Sequence, residues 1–160
     1  MIRRSRRDAL FALLLLMMIL ATGAALRIYH LGYQSLWSDE GNSAALATRS
    51  LVQIAQNSAN DIHPPLYYWL LHIWVRLFGT SEAGLRSLSA LFGMMLVWAA
   101  AELARRLHGN TTGLAVAFLG SITPFQVYYS QEARMYSLLA LESTISLLFF
   151  WSYLQHEQIA

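Results

Sequence analysis

The chain has no cysteine, no lysine and few charges of either sign. Only 12% of its 160 residues are charged, against about 25% in an ordinary soluble domain. Without cysteine there is no disulfide, no thiolate nucleophile and no cysteine metal site. All eleven basic residues are arginine, and the net charge is +2. They are scattered rather than gathered into the basic patch that a nucleic acid needs, so no nucleic-acid partner is expected. Proline is scarce, at three residues, and there is no repeat or low-complexity stretch. What remains is apolar. Hydrophobic residues make up 56% of the chain, and the mean hydropathy is +0.40. Much of this surface therefore faces lipid, and the expected class is an all-α, polytopic membrane protein.

Length and flanking charge place the spans. Residues 9–28 are almost wholly uncharged behind Arg3, Arg4, Arg6 and Arg7. Eighteen such residues make about 27 Å of helix, close to the ~30 Å hydrocarbon core. A signal peptide competes, because Ala21-Thr22-Gly23-Ala24 is rich in small residues. Its apolar region is usually shorter, ~7–15 residues, and the later spans favour an uncleaved helix. Further spans are predicted over about 83–104, 111–128 and 135–153. Two helices too polar or too short to cross, about 39–56 and 65–78, are predicted to lie along the membrane surface. If 65–78 crossed instead, the Arg105-Arg106 pair would face outward, against the positive-inside rule. With four spans the N-terminus is cytoplasmic. Asp39, Glu40, His63, Arg86, Glu132 and Arg134 then share the other side.

The stretch Trp37-Ser38-Asp39-Glu40-Gly41 is the centre of that arrangement. Ser38 is the expected N-cap, and acidic residues in a first turn suit the helix dipole. A carboxylate there can also take a proton, orient a hydroxyl or bind a metal, given hydrogen-bond reach. Arginines on the same side offer forked donors to a phosphate. His63 could orient a carboxylate, hold a metal or assist proton transfer. Each residue also has a plainer use. His63 before two prolines suits a turn, and Arg86 suits an anchor at a helix end. Glu132 and Arg134 suit a local pair. Glu142 inside a span is a functional candidate by its place alone.

Four pieces follow in order: Trp37-Ser38-Asp39-Glu40, His63-Pro64-Pro65-Leu66-Tyr67-Tyr68, Phe78-Gly79 with Leu85-Arg86-Ser87-Leu88-Ser89-Ala90, and Tyr129-Ser130-Gln131-Glu132-Ala133-Arg134-Met135-Tyr136. Together they resemble the N-terminal part of GT-C type integral-membrane glycosyltransferases, and more narrowly their bacterial RgtA/B/C/D-like branch. That branch is related to protein O-mannosyltransferases and to the lipid A aminoarabinose transferase. The resemblance implies a polyprenyl-phosphate-linked sugar donor and a lipid, glycan or protein acceptor. It also implies inverting transfer on the extracytoplasmic side of a bacterial plasma membrane. Carried over by position, Asp39 is the catalytic carboxylate and Glu40 supports it. Arg86 matches an arginine associated with the lipid phosphate. Glu132 and Arg134 match a polar loop facing the same cavity. His63 stands beside proline near the site, where a divalent metal is an open possibility. No cofactor is otherwise implied.

Enzymes of this kind are about three times as long, so the chain is expected to be an incomplete GT-C fold. Two other readings stay open. One is a non-catalytic scaffold or assembly subunit, which would be indifferent to loss of the acidic pair. The other is a transporter fragment, which would depend on Glu142 and Pro124 rather than on Asp39.

Overall fold

The computed structural model describes residues 6–59 and 63–157. The start of the arginine leader, part of the turn before His63 and the last three residues lie outside them. The described residues form eight helices and no strand: α1 (Arg6–Ile28), α2 (Ser38–Ala47), α3 (Leu51–Ala59), α4 (Leu66–Phe78), α5 (Glu82–His108), α6 (Asn110–Ile122), α7 (Pro124–Ser130) and α8 (Tyr136–Glu157). The protein is all-α and polytopic. Helices α1, α5 and α8 are long and apolar enough to cross a membrane. Their outer faces carry exposed Phe11, Leu14, Met18, Phe149 and Phe150, as lipid-facing surfaces do.

Two predicted helices are broken. Residues 39–56 form α2 and α3, parted at Thr48–Ser50. The break has a local cause. Ser50 Oγ accepts from the Gln53 N–H at 3.3 Å, and Gln53 Oε1 accepts from the Ser50 N–H at 3.1 Å. This reciprocal capping box starts a new helix. Residues 111–128 form α6 and α7, parted at Thr123 in extended geometry (φ −61°, ψ 121°) before Pro124. Proline has no N–H for the Gly120 carbonyl four residues back. At 13 residues, α6 reaches only about 20 Å.

Side-chain contacts give the helix directions. The start of α1 (Ala12, Leu13) meets the start of α6 (Asn110, Gly113) beside Ala101 and Arg105 near the end of α5. Arg106, also near the end of α5, donates to Ser152 near the end of α8 at 2.9 Å. Helices α1, α5, α6 and α8 therefore alternate in direction between two common ends. At the far end, α4 lies against the first turns of α5. Trp74 Nε1 donates to Ser87 Oγ, and Tyr67 Oη pairs with Ser89 Oγ, both at 2.9 Å. His72 Nδ1 lies 2.8 Å from the Ala47 carbonyl, tying α4 to α2. The main buried core, with Ile54, Tyr67, Tyr68, Leu71, Leu85 and Leu88, lies at this end. It is the platform on which the polar residues stand.

Candidate active site

The first turn of α2 divides its two carboxylates. Trp37 occupies the N-cap in extended geometry (φ −84°, ψ 172°), one residue before the expected Ser38. Glu40, third in the helix, reaches back to the Trp37 N–H at 3.4 Å. Successive helical residues point about 100° apart, so Asp39 and Glu40 face different surroundings. Glu40 is fully buried. The Asp39 side chain remains 41% exposed.

Glu40 joins three distant parts of the chain. Its Oε1 accepts from Arg86 Nε and from the Ala133 N–H, both at 2.8 Å. Its Oε2 accepts from Arg86 Nη2 at 2.7 Å. Burial acts to raise the Glu40 pKa. The Arg86 bonds and charge, with the Ala133 and Trp37 N–H groups, outweigh it and hold the carboxyl below its ordinary range. Arg86 is as fully used. Beyond Glu40 it donates to the Leu31, Gln34 and Ser35 carbonyls at 3.0, 2.8 and 3.2 Å. All five guanidinium N–H groups thus have protein acceptors. The lipid-phosphate role expected of Arg86 would need one of these donors to be released. The arginine folds the 31–40 loop onto α5 and has no donor left to offer.

Asp39 meets a different arginine. Arg134 Nη2 lies 3.7 Å from Asp39 Oδ2 and donates to His63 Nε2 at 3.3 Å. Its Nη1 donates weakly to the Asp39 carbonyl at 3.4 Å. Arg134 is 5% exposed, and its guanidinium lies over the Tyr136 ring at 5.9 Å. Its Nε–H is buried without an acceptor, which costs about 1–3 kcal/mol. Arg134 is therefore under-satisfied where Arg86 is saturated. Its position is fixed by the strap between α7 and α8, where Ser89 Oγ donates to the Arg134 carbonyl at 3.0 Å. Asp39, His63 and Arg134 make one cluster, with an exposed carboxylate beside a buried cation. Among the described residues, no group of three or more His, Asp or Glu side chains is arranged to hold a metal ion.

Glu132 faces the other way. It lines a cleft of about 600 Å³ together with Glu40, Arg86 and Trp37, and is 7% exposed. Burial raises its pKa, and the charge of Glu40 adds to this. Interaction with the Tyr128 hydroxyl and the charges of Arg134 and Arg86 only partly oppose the shift. The Glu132–Arg134 break is not a local ion pair. Glu132 lines the cleft with Arg86, while Arg134 lies against Asp39 and His63.

Two supporting residues escaped the sequence reading. Arg27, placed there in a polar loop, is the fully buried last turn of α1. It donates to the Gly120 and Ser121 carbonyls at 3.0 and 3.2 Å, and to Ser130 Oγ at 3.1 Å. These carbonyls lie in the last turn of α6, where helical partners are missing. The second is Gln131, whose side-chain Nε2 reaches the Leu26, Arg27 and Tyr29 carbonyls at 3.1, 3.2 and 2.9 Å and closes the end of α1. The nearest sequence signal was Pro124, which announces orphaned carbonyls without saying what satisfies them.

Residues 62–160 match the model of the dolichyl-phosphate-mannose-protein mannosyltransferase family. The chain belongs to that family. The matched region of this mannosyltransferase-family chain includes His63, Arg86, Glu132 and Arg134, and begins after Asp39 and Glu40. The chain is also similar to an uncharacterized protein of Aquifex aeolicus (strain VF5), at 26% identity over 110 residues. That stretch is 64% of this chain and 22% of the relative, so the chain spans a small part of that relative's length. No solved structure matches it.

Proposed function

We propose that this chain serves a membrane glycosyltransferase. A sugar passes from a polyprenyl-phosphate-linked donor to a hydroxyl or amine of a lipid, glycan or protein acceptor. The observation that carries the reading is the Asp39–Arg134–His63 cluster, joined to family membership. The Asp39 carboxylate is open enough to meet an acceptor, and it lies beside a buried, under-satisfied guanidinium.

The roles follow from charge. The acceptor oxygen attacks the anomeric carbon, and its proton passes to Asp39. The bond from that carbon to the phosphate oxygen breaks, with inversion. The departing polyprenyl phosphate carries away the electron pair, and its charge is met by Arg134 with His63 beside it. Glu40 and Arg86 do not touch substrate; they hold the 31–40 loop, α5 and the strap in register. The site end of the bundle faces the extracytoplasmic side of a bacterial plasma membrane, and the N-terminus is cytoplasmic. Helices α2, α3 and α4 lie along the surface, while α6 and α7 complete a fourth, broken crossing.

The test is transfer from polyprenyl-phosphate mannose, with the protein in membrane vesicles. Asp39→Asn keeps the shape and removes the base. A general base contributes about 10²–10⁴-fold, so transfer should fall at least a hundredfold with membrane insertion unchanged. Transfer at the wild-type rate would rule out Asp39 as the base.

A further inference from the structure

The cleft on the Glu132 side has no part in the proton transfer just described. Its walls combine two kinds of group. Trp37 and Tyr33 present exposed rings, at 44% and 78% exposure. His30, held in left-handed geometry (φ 56°), stacks between Tyr29 and Tyr33 at 4.0 and 5.0 Å between ring centres. Set into the wall behind them is the buried carboxyl of Glu132, and Gln34 lines the same cleft. Exposed aromatics at a helix end are often a membrane-interface belt. Here they surround a concavity of about 600 Å³ that has buried polar groups in its wall, the usual composition of a binding site.

The charges select the ligand class. Two carboxyls, Glu40 and Glu132, line the cleft. Its one arginine has every N–H already given to protein acceptors. A phosphate entering would meet two carboxyls and no unengaged guanidinium. A neutral polyol fits both kinds of group: the C–H face of a sugar ring packs on an aromatic face, while its hydroxyls give and take hydrogen bonds at carboxyl and amide groups. We propose that this cleft is a carbohydrate subsite that takes a neutral sugar ring of a glycan acceptor, with Trp37 and Tyr33 as platforms and Glu132 and Gln34 as hydroxyl partners. The inference rests on the transferase reading for the word acceptor, but not for sugar binding itself.

Saturation-transfer NMR on the detergent-solubilised protein tests it, with α-1,2-mannobiose and maltotriose as neutral probes and mannose 1-phosphate as the charged one. The neutral sugars should receive saturation at their ring C–H protons. Tyr33→Ala removes an exposed ring, and Glu132→Gln removes an acceptor oxygen. Each should weaken neutral-sugar binding about tenfold, the effect of roughly 1.4 kcal/mol. Asp39→Asn should leave it unchanged, so failure of the transfer assay and failure of the subsite are separate results. Helical circular dichroism confirms that the variants are folded. Absence of saturation with both neutral sugars would overturn the proposal. So would saturation unaffected by Tyr33→Ala and Glu132→Gln, or a preference for mannose 1-phosphate that depends on the same residues.

Discussion

Glu40 and Arg86 are buried together, so removing either leaves the other charge stranded. Breaking such a pair costs about 3–5 kcal/mol. Glu40→Ala and Arg86→Met should each lower the thermal unfolding midpoint far more than Asp39→Asn does, as measured in detergent. The pH dependence has opposite signs at two carboxyls. The Glu40 pKa is lowered by folding, so its stabilisation is present above the ordinary carboxyl range of about 4 and is lost as pH falls through the lowered value. The Glu132 pKa is raised, so its contribution is present below that range and is lost as pH rises through the raised value. Glu132→Gln should therefore stabilise the protein more at pH 7 than at pH 4, read by unfolding at both. Gly93 is a third sensitive residue. A Cβ there would collide with Ser130 Oγ and lie 3.1 Å from Arg27 Nε, so Gly93→Ala should destabilise by about 1–3 kcal/mol.

At the scale of elements, the break between α6 and α7 and the end of α1 form one unit. Pro124 denies Gly120 a helical partner, and Arg27 supplies one from another helix. Ser130, at the end of α7, takes the Arg27 Nε–H, and the strap that follows delivers the Ala133 N–H to Glu40. Replacing Arg27 by Met should thus destabilise the bundle and loosen the strap. Pro124→Ala restores an N–H that pairs with the Gly120 carbonyl once Thr123 turns from its extended geometry to a helical one. It should recover part of the loss in the Arg27→Met background, and its effect there should differ from its effect in the wild type. A double-mutant cycle on unfolding midpoints measures that coupling; strict additivity would sink the idea that the two residues serve the same carbonyl.

For the whole molecule, the alternating helices put the Asp39 and Glu132 groups at one end and Glu102, Arg105 and Arg106 at the other. The paired arginines bond Glu102 at 2.6–2.8 Å, and the proposed orientation puts them on the cytoplasmic side, as the positive-inside rule expects. The absence of native cysteine makes topology simple to read. Gly79 and Gly109 end α4 and α5 at φ +80° and +88°, which other residues adopt poorly. Their exposed neighbours Thr80 and His108 are better sites. Thr80→Cys should label from the extracytoplasmic side and His108→Cys only after permeabilisation. Labelling of both from one side would overturn the four-crossing arrangement. Glu142, which a transporter reading requires in a pathway, is exposed on the outer face of α8.

The class and most helices were legible in the sequence because they depend on local quantities. Scarce charge and runs near the length of a bilayer need no tertiary contact to be read. The grouping of Asp39, His63, Arg86, Glu132 and Arg134 at one end followed from counting crossings. The capping box at Ser50 and Gln53 was also written there, though the apolar spacing of the stretch concealed it. The division of labour between neighbours was not. Asp39 and Glu40 are alike as residue types, and Arg86 and Arg134 are identical. Their difference lies in partners: Glu40 and Arg86 are 46 residues apart, Asp39 and Arg134 are 95, and Arg27 and Ser130 are 103. No periodicity reports which of two arginines will be saturated by carbonyls and which will lie beside an exposed carboxylate. Only packing decides that, because a buried polar group is defined by what the fold brings to it.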